Sequence, residues 1–142
     1  MTQRLFDTAC CQENLEELHF KWVAYSDLSS LDNLKNLRYL YIGSGAGVRD
    51  ITPLASLKNL IVLHVENFKR IEDYSIPASL DKLEQLIISG FMYGNTPVKN
   101  FEFLRDMHTL VSIWTPGIVL RRKCTNKEFE RLCKDLPNLH FV

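Results

Sequence analysis

The residues of this 142-residue chain whose types could do chemistry are four histidines, four cysteines, scattered serines and one glycine-rich turn. The turn is the sharpest pattern. In Tyr41-Ile42-Gly43-Ser44-Gly45-Ala46-Gly47-Val48 the glycines follow an apolar run. A dinucleotide pyrophosphate approaches the backbone at such a turn, where a helix begins. Glu66 lies 23 residues beyond Gly43, at the distance where a carboxylate would hold a ribose. Three residues argue the other way. Val48 stands where the third glycine belongs, Asp50 would meet the phosphate with a negative charge, and Pro53 falls inside the helix that the turn would have to open.

The histidines are His19, His64, His108 and His140. The first, second and fourth fall at one position of segments read below as strands one, three and six. Strands lie about 4.8 Å apart, so these rings are expected roughly 10 and 14 Å from one another. A single ion needs its ligand nitrogens at about 2 Å, and this spacing forbids that. Cys10, Cys11, Cys124 and Cys133 contain no C-x-x-C pair, so the expectation is buried thiols, with neither zinc nor a disulfide framework. Ser44, Ser89 and Ser112 sit in no G-x-S-x-G elbow. Adjacent carboxylates such as Glu16-Glu17 would point to opposite faces of a strand. The sequence therefore predicts no enzyme, no cofactor and no metal.

The elements that position these residues are set by a repeat. The pattern L-x-x-L-x-(apolar) occurs at Leu15-Leu18-Phe20, Leu37-Leu40-Ile42, Leu60-Leu63-Val65 and Leu83-Leu86-Ile88, then more loosely at Leu110-Ile113-Thr115 and Leu139-Phe141. Its steps are 22, 23, 23, 27 and 29 residues. That is the signature of a solenoid with six strands, in which each unit buries its apolar face on the next. Between strands, Asp27, Asp50, Asp73 and Asn100 each precede an apolar residue. Their side chains are expected to accept backbone N–H groups and to open a turn. Leu28-Leu31-Leu34, Ile51-Leu54-Leu57 and Phe101-Leu104-Met107 then recur every third residue, the period of a 3₁₀ turn.

The segment Val48-Arg49-Asp50-Ile51-Thr52-Pro53-Leu54-Ala55-Ser56-Leu57-Lys58-Asn59-Leu60-Ile61-Val62-Leu63-His64-Val65 resembles the internalin type of bacterial leucine-rich repeat. The resemblance extends over about residues 14–142 and is tightest over 34–90. It implies an α/β solenoid with about six parallel strands on the concave face and short 3₁₀ or helical turns on the convex face. It also implies a bacterial protein-binding module. The asparagine of that family, which bonds backbone across coils, would fall at Val23, Gly45, Phe68, Phe91 and Ile118, and none of these is Asn. Either an inserted residue shifts the column or apolar packing replaces the ladder.

One domain is expected over 1–142. Residues 1–13 would cover the first coil through Leu5, Phe6, Ala9 and Cys10, 14–114 carry the repeats, and 115–142 hold an insertion, a helix and the last strand. The capping-box sequence Thr125-Asn126-Lys127-Glu128, followed by Phe129, Leu132, Cys133 and Leu136, predicts a helix of about ten residues ended by Pro137. Lys plus Arg and Asp plus Glu both number 17, so no net field draws the chain to nucleic acid or a membrane, and Arg121-Arg122-Lys123 is too short to change that. Residues 1–7 lack the long apolar core of a signal peptide, which points to the cytoplasm.

What remains is the concave face. Its central column reads His19, Tyr41, His64, Ile87, Trp114 and His140, flanked by Glu17, Tyr39, Val62, Gln85 and Ser112 and by Lys21, Gly43, Glu66, Ser89 and Pro116. Exposed aromatic rows anchor protein interfaces. The candidate partner-binding residues are therefore His19, Tyr39, Tyr41, Val62, His64, Glu66, Ile87 and Trp114. The two insertions, Phe91 to Pro97 and Thr115 to Cys124, are expected to rise beside Trp114. An end strand would also let two copies pair. The competing readings are a small nucleotide-binding enzyme domain on the Gly43 to Gly47 turn, and the recognition part of an effector or toxin–immunity system.

Overall fold

The computed structural model describes residues 2–22, 24–90, 96–120 and 126–142. The expected positions Val23, Phe91, Arg121, Arg122, Lys123, Cys124 and Thr125 lie outside the described residues, as do residues 92–95 of the first insertion.

Strands β1 (Glu17–Phe20), β2 (Tyr39–Ile42), β3 (Val62–Glu66), β4 (Gln85–Ser89), β6 (Ser112–Trp114) and β8 (His140–Phe141) form one parallel sheet in that order. These are the six strands that the repeat predicts. A separate parallel pair joins β5 (Thr96–Val98) to β7 (Ile118–Leu120). Along β1 to β6 the second leucine of each repeat points inward and is buried: Leu18, Leu40, Leu63, Leu86 and Ile113. Register is fixed where each strand begins. There one carbonyl of the previous coil takes two successive amides: Glu16 from Arg38 and Tyr39, Arg38 from Ile61 and Val62, Ile61 from Glu84 and Gln85, Glu84 from Val111 and Ser112.

The convex side follows the apolar period of three. Leu31, Leu34 and Leu37 each donate their N–H to the carbonyl three residues earlier, and Leu54, Leu57 and Leu60 do the same, as do Leu104, Met107 and Leu110. In 3₁₀ geometry residues three apart eclipse, so the groups that make these bonds also stack their side chains into one core. The Asp and Asn residues open the turns as expected. Asp27, Asp50, Asp73 and Asn100 accept the N–H of the residue two ahead at 2.9, 2.8, 2.9 and 3.0 Å.

A further regularity stands at the strand exits. Trp22, Ser44, Asn67 and Gly117 occupy the same place in their coils, and all four have positive φ, between 62° and 65°. The chain reverses direction there through a left-handed residue, at a cost of about 1–2 kcal/mol when the side chain is not glycine.

No asparagine ladder stands at Gly45 or Phe68. Both are buried, and a Cβ built on Gly45 would lie 2.2 Å from Phe68 Cε2. The Phe68 ring fills the space, so apolar packing replaces the ladder in these coils. Polar bonds between coils occur before the strands instead. Asn36 donates to the Glu13 carbonyl, Asn59 to Lys35, and Thr109 to Leu83.

A helix stands toward each end of the described chain. Helix α1 (Gln3–Cys10) buries Phe6 and Cys10, one turn apart. Phe6 stacks on Tyr25 at 5.0 Å and meets Phe20 edge-on at 5.2 Å. Gln3 binds the backbone of Ser26 and Asp27. Helix α2 (Asn126–Asp135) buries Leu132, and Arg105 ties it to the last 3₁₀ turn through Asp135. Two expectations are corrected. Cys11 is exposed, and of the cysteines only Cys10 is buried among the described residues. His140 pairs with Ser112, and Phe141 with Ile113. His140 therefore belongs to the Glu17 column and not to the central one. Phe141, opposite Ile113, takes the inward place that the repeat assigns to Leu139, so the last strand is shifted against the spacing read from the leucines.

Two outcomes follow. Bonds from Ser29 hold Asp27 below the usual carboxylate range, and those from Ser75 do so for Asp73. Stability from these groups is present above the unfolded value near 3.9 and is lost as pH falls through the lower folded value. Asp27→Ala and Asp73→Ala should each lose about 1 kcal/mol in urea melts at pH 7. Asp→Asn should keep the turn, as Asn100 does, and soften the loss of stability at pH 3. Gly45→Ala should destabilise by about 1–3 kcal/mol through overpacking, and Phe68→Leu in the same chain should restore part of it.

Candidate concave-face site

The central column stacks across the strands. The His19 and Tyr41 rings meet edge-on at 5.9 Å, and Tyr41 lies on His64 at 4.5 Å and 29°. Ile87 and Trp114 continue the row by register. Trp114 is 47% exposed and Tyr39 is 38% exposed. Val62 and Ile87 are half-buried, and His19 is exposed with its Nε2 3.0 Å from Glu17.

The flanking column through Lys21, Glu66 and Ser89 behaves differently. Glu66 is only 7% exposed and Ser89 only 6%. Lys21 Nζ lies 2.9 Å from Glu66 Oε2, and Tyr41 donates its hydroxyl to the same oxygen at 2.8 Å. Bonds to Tyr41 and Glu66 hold the Lys21 ammonium above its ordinary range. Burial raises Tyr41 despite the lysine. Glu66, one of the expected partner contacts, is nearly buried and already bonded by Lys21 and Tyr41. It joins strands one, two and three by polar bonds.

His64 Nε2 stands 2.8 Å from Ser89 Oγ, a pairing that spacing did not predict. An imidazole beside a hydroxyl is the start of a nucleophile and base. Here a carbonyl would have to reach a buried hydroxyl, and Ser89 also uses its backbone carbonyl to accept from Asn67 N and Thr96 Oγ1. The pair fits a structural bond between β3 and β4.

The glycine-rich turn opens a three-residue 3₁₀ turn, Gly45–Gly47, rather than an α-helix. Its glycines answer to packing. A Cβ at Gly43 would lie 2.9 Å from the Tyr41 hydroxyl, and one at Gly47 would lie 2.8 Å from the Tyr25 carbonyl oxygen. The Gly43 carbonyl itself accepts the buried Tyr25 hydroxyl at 2.7 Å. Glu66, the candidate ribose ligand, is occupied by Lys21 and Tyr41. Among the described residues no three His, Cys, Asp or Glu side chains are grouped to hold a metal ion, and no helix is long and apolar enough to cross a membrane.

A parallel sheet of six short strands, one per coil, with 3₁₀ returns and a leucine core, decides the architecture. The fold is a leucine-rich-repeat solenoid. No family model matches the sequence, and no curated protein matches it. Solved structures do. The chain is similar to internalin C2 from Listeria monocytogenes at 22% identity and a TM-score of 0.64, over 90% of this chain and 50% of that one. It is also similar to a leucine-rich-repeat protein of Leptospira interrogans at 19% identity and a TM-score of 0.61, over 94% of this chain and 38% of that one. The chain thus spans half or less of the length of these leucine-rich-repeat structures. The fold is the property shared.

Trp22 is the residue that sequence reasoning missed. It lies beyond the last position of the first strand and is 73% exposed at the rim of the sheet, with Lys21 Nζ 4.8 Å from its ring. Nothing in the repeat pattern signals it, because its orientation depends on a left-handed backbone.

The site has a pH signature. Burial pushes the His64 imidazole below its ordinary range, with Glu66 pulling the other way. The unfolded chain therefore takes up this proton at higher pH than the folded one. Stability linked to neutral His64 is whole above the ordinary histidine range and is lost as pH falls through about 6.5. Thermal melts of His64→Gln should show a smaller drop in Tm between pH 7.5 and 5.5 than the parent; an unchanged drop would place the acid sensitivity elsewhere.

Proposed function

We propose that the chain is a non-enzymatic protein-interaction module that receives its partner on the concave face. The observation that carries this reading is the row His19, Tyr41, His64, Ile87 and Trp114, aligned residue against residue across five strands. Trp114 in the row is exposed, and exposed Tyr39 beside it and Trp22 beyond it extend the apolar surface. Large aromatic side chains in water are expensive to leave uncovered, and they dominate binding energy where interfaces are known. Five strands at about 4.8 Å span roughly 19 Å, enough for a helix or an extended segment to lie across.

Two features favour a prepared face over a pliable one. Tyr41 is held by Glu66 on one side and by His64 below, so little side-chain freedom is left to lose on binding. The paired strands β5 and β7 stand beside the second half of the sheet, where Gly90 N donates to the Pro116 carbonyl and fixes their roots. Recognition gathers on loops held by a rigid scaffold.

The test uses a partner recovered by crosslinking to the intact chain. Tyr41→Ala and Trp114→Ala should keep the parent's circular dichroism and each weaken the partner by at least tenfold, about 1.4 kcal/mol. Asp32→Ala, on the convex side, should leave it unchanged. Normal binding by both concave variants would move the interface off this face.

A further inference from the structure

One corner of the concave face already encloses a cation. Lys21 Nζ lies 4.8 Å from the centre of the Trp22 ring and 5.6 Å from that of Tyr41, with Glu66 Oε2 at 2.9 Å. Two aromatic faces and a buried carboxylate around a positive charge are the ingredients of a cation-recognition cage.

The carboxylate is only half satisfied. Oε2 accepts from both Lys21 and Tyr41, whereas Oε1 is buried and takes no hydrogen bond. The Glu66 side chain as a whole is 9% exposed. A buried acceptor without a donor is destabilising. Lysine does not remedy this, because its ammonium is a point charge at the end of a flexible stem. A guanidinium offers two parallel N–H groups matched to both oxygens of a carboxylate, and its plane stacks on aromatic rings.

Trp22 points the same way. Its backbone is in the left-handed region, at a coil position filled elsewhere by Ser44, Asn67 and Gly117. Ser, Asn and Gly tolerate that conformation; a bulky indole does so least. The ring is also largely in water. Strain and exposure fall together on the one residue that forms the outer wall of the cage.

We propose that Trp22, Tyr41 and Glu66 form a binding site for an arginine side chain of the partner protein, and that Lys21 is a resident cation which the arginine displaces. Lys21 is partly exposed and leaves into solvent. The guanidinium then bonds both Glu66 oxygens and stacks on the rings. This rests on the concave-face reading and supplies the chemistry of one corner of it.

The experiment titrates the intact folded chain with N-acetyl-arginine amide and follows the Tyr41 backbone amide by NMR. Lys21→Ala, which empties the cage, should bind the probe at least tenfold more tightly than the parent. N-acetyl-lysine amide should bind the same variant more weakly, and N-acetyl-glycine amide should cause no saturable shift. Adding Glu66→Gln or Trp22→Gly to Lys21→Ala should each abolish the gain. Trp22→Gly relieves the left-handed residue, so its fold survives where that of Glu66→Gln fails. The proposal is overturned if Lys21→Ala does not tighten binding, if glycine amide shifts Tyr41 as arginine amide does, or if Trp22→Gly retains the gain. Loss of the arginine effect with partner binding still sensitive to Trp114 would remove the cage alone. Arginine binding with a partner indifferent to Tyr41 and Trp114 would remove the concave-face reading instead.

Discussion

Where a strand begins, a single carbonyl of the preceding coil receives two successive amides, and this repeats from Glu16 through Arg38 and Ile61 to Glu84. The shared acceptor sets how far each coil is offset from the last. Register across the sheet, the inward row of leucines and the outward row from His19 to Trp114 all follow from that offset. A slip of one residue would turn every inward side chain outward. The core and the candidate face are therefore two results of one backbone constraint.

The repeat made much of this legible. Leucine spacing sets the register of the first five strands because each step from β1 to β2, β3, β4 and β6 uses the same device, a 3₁₀ return opened by Asp27, Asp50, Asp73 or Asn100. His140 falls in another column because Phe141, and not Leu139, takes the inward place opposite Ile113. The repeat is also blind to bonds between residues distant in sequence. Glu66 reads as a surface carboxylate until Lys21 and Tyr41 are placed against it. The His64 and Ser89 pair is equally invisible along the chain. Glycines offered a false lead for a physical reason. Gly45 is small because Phe68 occupies the space above it, and that requirement looks the same in sequence as a backbone left bare for a phosphate.

The polar cluster of Lys21, Tyr41 and Glu66 sits on a surface otherwise read as aromatic. A buried charge pair is seldom a gain in stability over apolar packing. Its value here is geometric. The cluster fixes the ring of Tyr41 between two imidazoles, so the most central aromatic side chain of the face has one orientation before any contact is made.

The two longest repeats each carry an insertion, and the inserted strands pair with one another: Thr96 with Ile118, Pro97 with Val119 and Val98 with Leu120. Among the described residues neither inserted strand pairs with any other. A deletion of either would strand the other with unmet backbone groups beside the sheet. In descent, then, the pair would be gained or lost as one unit, and related chains should differ in having both or neither.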